Sequence, residues 1–333
     1  MLHTLPVVHD ILSAHPQAQI DWVVEKSFAG VVRSCAGVNR VITCELRKWR
    51  KAIFAKETQQ AWQAFKTDLQ HAQYDAVIDL QGLTKSALVA KLAQKSPTGK
   101  RYAMANQSDG SSYEAPTRWV ADVAIAVKPH SHAVQRGRDV CAAALAYRLS
   151  ESAQKNICFG LVGDINKAYE AMNNIATSGV NIAHTPFVIF AHGTSRDDKL
   201  WPKANWVALG KRLNAQGLAV ALTHGNDAEQ ARSDAIAQQL DNAIVLPRLG
   251  IDDLLNVMAV SRGVLGVDSG LSHMAVALDL PHVQIYNFDT AWRTGPMLVN
   301  PQSAARQVSV YATPTPSLEA VWQAWAQVST ANK

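Results

Sequence analysis

No apolar run in the 333-residue sequence reaches the ~20 residues a membrane-spanning helix needs. The longest are strand-length, such as Phe187-Val188-Ile189-Phe190-Ala191. The stretch after Met1 does not carry the basic start, apolar middle and small-residue cleavage site of a secretory signal. Cysteine is scarce: Cys35, Cys44, Cys141 and Cys158 show neither a CxxC pairing nor metal-ligand spacing, which fits reduced thiols in a cytoplasmic protein. No GxGxxG follows a first strand and no Walker A sequence is present, which argues against a dinucleotide dehydrogenase and a P-loop kinase. No zinc-finger, RNP or long basic signature points to nucleic acid. Charge is also sparse. Charged residues make up 18% against 48% hydrophobic, so the chain can bury real cores. The formal net charge of +5 suits an anionic substrate or membrane surface, although an excess this small can equally mean little.

What is present is alternation. Strand-like runs at Ile20–Val24, Ala76–Leu80, Phe187–Ala191, Ala219–Thr223, Ala243–Leu246, Gly263–Val267 and His282–Tyr286 are separated by segments of helical period. The latter include Trp62–Leu69, Leu83–Leu92, Trp206–Gln216, Ala228–Gln239 and Ile251–Ser261. This rhythm predicts an α/β fold with parallel sheets covered by helices on both faces. The length suits two domains. The more polar, less periodic stretch from about Ser150 to His184 is the expected connection between them. The opening is unusual. Residues 2, 5, 8, 11 and 12 form a helical apolar face, whereas a doubly wound domain normally opens with a strand.

Four segments could carry chemistry. Phe190–Pro202 follows a strong strand and precedes a helix. Its Gly193 allows a tight turn, Thr194 and Ser195 offer hydroxyls, and Lys199 and Arg196 offer positive charge. That set suits a phosphate or diphosphate, or else it is a capped polar loop with solvated charges. Val264–Ala275 runs from a strand through Asp268-Ser269-Gly270 directly into a helix, whose N-terminal amides could hold phosphate oxygens. Asp268 could accept from sugar hydroxyls and His273 could face the same crevice. Alternatively, Asp268 is an N-cap and His273 a satisfied partner. Arg47-Lys48-Trp49-Arg50-Lys51 places four cations around one Trp, either for an anionic acceptor or as a solvated helix face with Trp49 in the core. Asp79–Ser86 is another strand, turn and helix start, in which Gln81 and Lys85 could face an interdomain cleft.

Taken together, these segments resemble the lipopolysaccharide heptosyltransferases of glycosyltransferase family 9, of the type that adds the first heptose. Thr194-Ser195-Arg196-Asp197-Asp198-Lys199 followed by Trp201-Pro202 is similar to one family motif. Asp268-Ser269-Gly270-Leu271-Ser272-His273 is similar to another. Leu2–Pro6, Asp21–Glu25, Arg47–Lys51 and Asp79–Ser86 match in order and spacing, so the resemblance runs from Met1 to about Val328.

The resemblance implies a GT-B fold, with two Rossmann-like domains facing across a cleft. The expected division is an acceptor-binding domain over 1–160 and a donor-binding domain over 161–312, with a C-terminal helix in 313–333 packing back on the first domain. It implies an inverting enzyme of the cytoplasm, peripheral at the cytoplasmic face of the inner membrane. The reaction implied moves L-glycero-D-manno-heptose from ADP-heptose to Kdo of Kdo2-lipid A in the lipopolysaccharide inner core. No metal or other cofactor is required, and nucleic acid is no partner. Carried over residue by residue, Thr194, Ser195, Lys199, Asp268, Ser269, Gly270, Leu271 and His273 hold the diphosphate and heptose, and Lys199 stabilises the leaving group. Glu229 and Leu249 match nucleotide-side contacts. Arg47, Lys48 and Lys51 grip the acceptor, aided by Gln81 and Lys85.

Two departures qualify this. The family's first strand and its Gly-Asp turn, whose Asp is the expected general base, lie upstream of Met1. The 333-residue form is therefore expected to bind ADP but to transfer poorly, with an unpaired sheet edge. His3 is the nearby titratable group with a suitable pKa. The family's acceptor-loop Arg is Tyr113 here, and Arg118 is the expected substitute. The alternatives are addition of the second heptose, as by heptosyltransferase II, and a nucleotide-sugar-binding protein without activity.

Overall fold

A computed structural model describes residues 1–175, 185–297 and 306–330. The chain forms two compact units, essentially His3–Gln154 and Lys155–Lys333. The first contains strands β1 (Ile20–Glu25), β2 (Val38–Cys44), β3 (Tyr74–Asp79), β4 (Lys95–Met104) and β5 (Val123–Ile125). The second contains β6 (Phe187–Ala191), β7 (Ala219–Leu222), β8 (Ala243–Val245), β9 (Val264–Val267), β10 (His282–Tyr286) and β11 (Gln307–Tyr311).

In the second unit all six strands form one parallel sheet, in the order β11-β10-β9-β6-β7-β8. Every residue of β6, β7, β9 and β10 is buried, as strands covered on both faces require; β6, β7 and β9 are apolar throughout, whereas β10 also buries His282 and Gln284. On one face, Val188, Phe190, Leu222, Leu265 and Ile285 pack against Trp206, Leu209 and Leu213 of the helix Lys203–Ala215. The same core contains Val321, Ala324, Trp325 and Val328 of the C-terminal helix Leu318–Thr330. That helix was expected to pack back on the first domain. Instead its apolar stripe at 321, 324, 325 and 328, the i, i+3, i+4, i+7 spacing of one helical face, packs onto the second unit's own sheet. Arg212 adds an ion pair to its Glu319 at 2.8 Å.

The first unit is less continuous. Its strands are parallel but fall into two sheets, β1-β2 and β3-β4-β5. Among the described residues no backbone ladder joins β1 to β3. Side chains link them: the Tyr74 hydroxyl donates to Asp21 at 3.0 Å. Ile20, Trp22 and Ile78 share a cluster with Val7 and Ile11 of the opening helix Pro6–Ala14. The apolar face expected at the start of the chain is therefore a real helix, and its Asp10 is fully committed. Arg138, on the helix Ala133–Ala144, clamps Asp10 through two buried bonds of 2.6 and 2.9 Å.

Candidate active site

The order of the second sheet creates the site. The chain winds outward from β6 through β7 to β8, then returns to β9 on the other side of β6 and winds outward through β10 to β11. The connections leaving β6 and β9 therefore diverge to opposite faces. At such a switch point a crevice opens outside the carboxyl ends of the strands. The register pairs Ala191 with Gly266, so the two motif-bearing loops, His192–Pro202 and Asp268–Gly270, leave the sheet side by side.

Asp268 is the hub of the crevice. Its carboxylate accepts from the Lys199 ammonium at 2.6 Å, and the two side chains are 7% and 19% exposed. The His273 Nε2 lies 3.5 Å from the other carboxylate oxygen, and the Thr294 hydroxyl reaches that oxygen at 3.4 Å. Thr194 donates to the Asp268 carbonyl at 3.3 Å, which ties the first loop to the second. Lysine has three donors; one is used on Asp268, and two can meet another anion.

The helix Gly270–Ala277 begins immediately beyond. Its N-cap residue Ser269 has extended backbone, but its hydroxyl makes no capping bond and is buried without a hydrogen-bond partner. Nothing lies within 4 Å of where a Cβ on Gly270 would stand. An uncapped helix N-terminus, a spare hydroxyl and an ammonium thus meet at one place, which is the composition of an anion site. Behind it the packing is tight. Ser272 donates to the Val267 carbonyl at 2.6 Å, and its oxygen lies 2.4 Å from where a Gly266 Cβ would be.

Glu229 borders the same loop. It sits in the first turn of the helix Asp227–Ala237, capped by Asn226, and its carboxylate accepts from the Gly225 amide at 2.7 Å. A Cβ on Gly193 would stand 2.8 Å from the Glu229 carboxyl carbon, so a larger residue there would push the carboxylate aside. His192, fully buried, contacts the Ser233 hydroxyl at 2.8 Å. Burial, helped by the nearby Arg232 charge, pulls its pKa down to about 4. It is therefore a neutral packing element of the loop base.

The other predicted donor-side residues fall at the same end of the sheet. Ser195 is exposed, Leu249 is half-buried in the loop beyond β8, and Leu271 is half-buried on the helix after β9. Arg196, expected as an extra cation, is paired with Asp198 and lies over the Phe288 ring at 5.8 Å. Thr294 and Tyr286 were not expected. Tyr286 is buried, its hydroxyl is 3.4 Å from that of Thr294, and burial together with the Asp268 charge pushes its pKa well up. They lie 26 and 18 residues from Asp268, at the ends of the short helix Ala291–Thr294 and of β10, so no local pattern marks them.

In the first unit Trp49 is buried between Trp62 and Phe65, whereas Arg47, Lys48, Arg50 and Lys51 are all exposed. Lys48 is 3.7 Å from Glu45. The segment thus takes the second of its two readings, with Trp49 in the core and the cations facing solvent. Asp79 accepts from the Gln81 and Gly82 amides and the Ser86 hydroxyl, fixing the turn at the end of β3. Burial nevertheless pushes its carboxyl pKa up. Gly82, at φ +71°, takes a conformation that other residues resist. Lys85 lies close enough to Cys44 and Glu114 to influence both. Tyr113 donates to the Ala105 carbonyl at 2.9 Å and packs with Met104 and Val127, so it is a core residue here. Arg118 is exposed on the helix Pro116–Val120. His3, in the opening turn, meets the His132 ring edge-on at 6.1 Å.

Comparison with known proteins agrees with this geometry. Residues 62–321 match the model of glycosyltransferase family 9 (heptosyltransferase). The chain is 34% identical over 287 residues to lipopolysaccharide heptosyltransferase 1 of Salmonella typhimurium, covering 86% of this chain and 84% of that one. It is 36% identical over 292 residues to lipopolysaccharide heptosyltransferase 1 of Pseudomonas aeruginosa, covering 86% and 75%. The structure of E. coli heptosyltransferase WaaC with ADP superposes with a TM-score of 0.79 at 30% identity, covering 97% of this chain and 94% of that one. The fold is accordingly GT-B. The chain belongs to glycosyltransferase family 9, the heptosyltransferases.

Proposed function

We propose that the chain transfers L-glycero-D-manno-heptose from ADP-heptose to Kdo of Kdo2-lipid A, building the lipopolysaccharide inner core. The observation that carries the reading is the meeting of Lys199, Thr194, Ser269 and the uncapped start of the helix Gly270–Ala277 around Asp268. The relatives named heptosyltransferase 1, and the ADP bound in the similar solved structure, supply the nucleotide-heptose identity of the anion.

In this scheme the second unit holds the donor. Lys199 and the helix amides take the diphosphate, with Thr194 and Ser195 beside them. Asp268 orients Lys199 and, with His273, faces the heptose. Glu229 and Leu249 line the nucleotide side. The acceptor hydroxyl attacks the anomeric carbon from the face opposite the diphosphate. The bond from that carbon to the phosphate oxygen breaks and its electron pair leaves with ADP. Negative charge grows on the leaving oxygens, so a fixed ammonium and aligned amides bind the transition state better than the ground state. The acceptor hydroxyl loses its proton to a base, a role for which His3 is the imidazole this chain offers in its first turn.

On the first unit, Arg47, Lys48 and Lys51 meet the anionic Kdo and phosphate groups, with Gln81, Lys85 and Arg118 as further contacts. No described helix is long and apolar enough to cross a membrane. An acceptor anchored in lipid places the work at the cytoplasmic face of the inner membrane.

Calorimetric titration with ADP, followed by transfer assays on Kdo2-lipid A and on the once-heptosylated acceptor, tests the reading. Product on Kdo2-lipid A is expected. Product only on the heptosylated acceptor assigns the second transfer, and ADP binding without product on either assigns a binding protein.

A further inference from the structure

The basic segment runs directly into Ala52-Ile53-Phe54-Ala55, and this tetrapeptide is built against expectation. The Ala55 amide donates to the Ala52 carbonyl at 3.1 Å, closing a turn with Ile53 and Phe54 as its two central residues. Such positions normally carry Gly, Pro, Asn, Asp or Ser. Here Ile53 is 54% exposed and Phe54 88% exposed, so neither is held by the core. The turn is nevertheless firmly mounted. Just before it Trp49 is 7% exposed and wedged against Trp62 and Phe65, and Ile42 and Cys44 at the end of β2 share that cluster. The Lys51 and Ala52 amides then bond to Lys48 and Trp49. With Trp49 turned inward, Arg47, Lys48, Arg50 and Lys51 form an exposed cationic collar around an apolar tip.

We propose that this turn is a membrane wedge: Ile53 and Phe54 enter the acyl boundary of an anionic phospholipid bilayer, Arg50 binds a headgroup phosphate, and the charge of the acceptor-facing Arg47, Lys48 and Lys51 adds to the attraction of the surface. The charge sign is complementary to such a surface. The combination of an apolar insertion with basic residues is the two-signal arrangement that reversible membrane binding requires. A protein partner fits less well, because two side chains on one turn offer far less than the roughly 800 Å² per partner of a stable interface. The wedge rests on the proposed lipid-anchored acceptor for its purpose, since it would hold the enzyme where that acceptor lies.

Flotation of the full chain with vesicles of phosphatidylethanolamine and phosphatidylglycerol, free of lipopolysaccharide, tests it against vesicles of phosphatidylcholine alone. Binding to the anionic vesicles is expected. The variants Phe54→Ser and Ile53→Ser should each weaken it, Phe54→Ser by about tenfold or more given the transfer energy of a Phe side chain. Their melting temperature should not change. Turnover on a delipidated, water-soluble acceptor should stay at the parent level, while turnover on vesicle-embedded acceptor should fall with the partition. Parent binding that is absent, equal on neutral vesicles, or undiminished in both variants overturns the wedge. Failure of heptose transfer on both acceptors, with vesicle binding as expected, removes the proposed function and leaves the wedge standing.

Discussion

Lys199 and Asp268 touch, so a loss of activity on replacing either could reflect catalysis or merely a broken ion pair, and a double-mutant cycle separates the two. The Lys199 Nζ is 2.6 Å from the Asp268 carboxylate. For charge centres about 4 Å apart at an effective dielectric of about 20, the attraction is ~4 kcal/mol. Desolvation of the nearly buried carboxylate cancels much of this, leaving a coupling of about 1–3 kcal/mol. Lys199→Met leaves a buried carboxylate facing His273 and Thr294, and should cost about 1–3 kcal/mol in urea unfolding. Asp268→Asn should cost less, because Lys199 at 19% exposure can turn to water. The double variant should be more stable than the sum of the single losses by the coupling energy. Turnover should behave differently. Removing a fixed cation from a developing oxyanion typically costs about 100- to 1,000-fold, and removing Asp268 as well restores no positive charge. Single-turnover transfer of heptose, followed by chromatography of ADP, should therefore show the double variant at least as slow as Lys199→Met. Recovery of the double variant to within about tenfold of the parent would refute a role for Lys199 on the leaving group and reduce it to half of a structural pair.

Gly193→Ala pushes a methyl into the Glu229 carboxyl group. The flexible end of Glu229 can give way, so stability should change by no more than about 0.5 kcal/mol, whereas the displaced carboxylate should weaken ADP binding about tenfold; calorimetry showing unchanged ADP affinity would sever Glu229 from the nucleotide side. His282 is fully buried with Nδ1 2.9 Å from the Val264 carbonyl, and burial pulls its pKa to about 4. The unfolded chain therefore takes up the proton first as pH falls from about 6.5. The stability this neutral imidazole contributes, about 3 kcal/mol at most, is present above that pH and is lost on the way down to 4. His282→Asn should flatten the fall in urea midpoint over that window, and an unchanged slope counts against the burial argument. In hydrogen exchange read by mass spectrometry, β6 and β9, each paired on both sides, should be the most protected segments. β1 and β3, each paired on one side only, should exchange orders of magnitude faster; equal protection would mean that the two first-unit sheets are joined in solution.

The second unit was far more legible than the first, for a physical reason. Strands buried on both faces tend to be near-continuous apolar runs, so Phe187–Ala191 stands out in sequence with its observed bounds, and His282–Tyr286 does so through Val283, Ile285 and Tyr286 despite its two polar residues. β2 and β4 are not of that kind. Val38–Cys44 includes Asn39 and Arg40, and Arg40 is tied up by Asp21 and Asp68. Lys95–Met104 carries Pro97 and Gly99 and shifts register near its start. Their polar residues are satisfied by partners distant in sequence, so local pattern has nothing to show. The same limit hid Thr294 and Tyr286, which become site residues only when β10 lies beside β9. The C-terminal helix was expected from the family resemblance alone, and a resemblance of that kind does not say which face is buried or against what.

Two loops that each might have been an ordinary capped turn become a site through topology. Each carries little information separately, since strand, glycine and hydroxyl are also the recipe for a plain helix start. The order β9-β6, with the windings diverging on either side, forces both loops to the one place where helices on opposite faces leave the sheet open. The contacts from Lys199 and Thr194 to Asp268 then cross from one loop to the other, over 69 and 74 residues of sequence. An ordinary cap would satisfy Ser269 within its own helix; here its hydroxyl is left over, and the first amides lack a side-chain acceptor. The basic segment of the first unit has no such cross-link. Its cations are exposed and anchored mainly through Trp49, so their charge limits the partner to an anion without fixing its shape. Chemical specificity among the described residues is therefore concentrated at the switch point of the second unit, whereas the first unit offers a charged, partly apolar surface to which the proposed acceptor and membrane contacts are assigned.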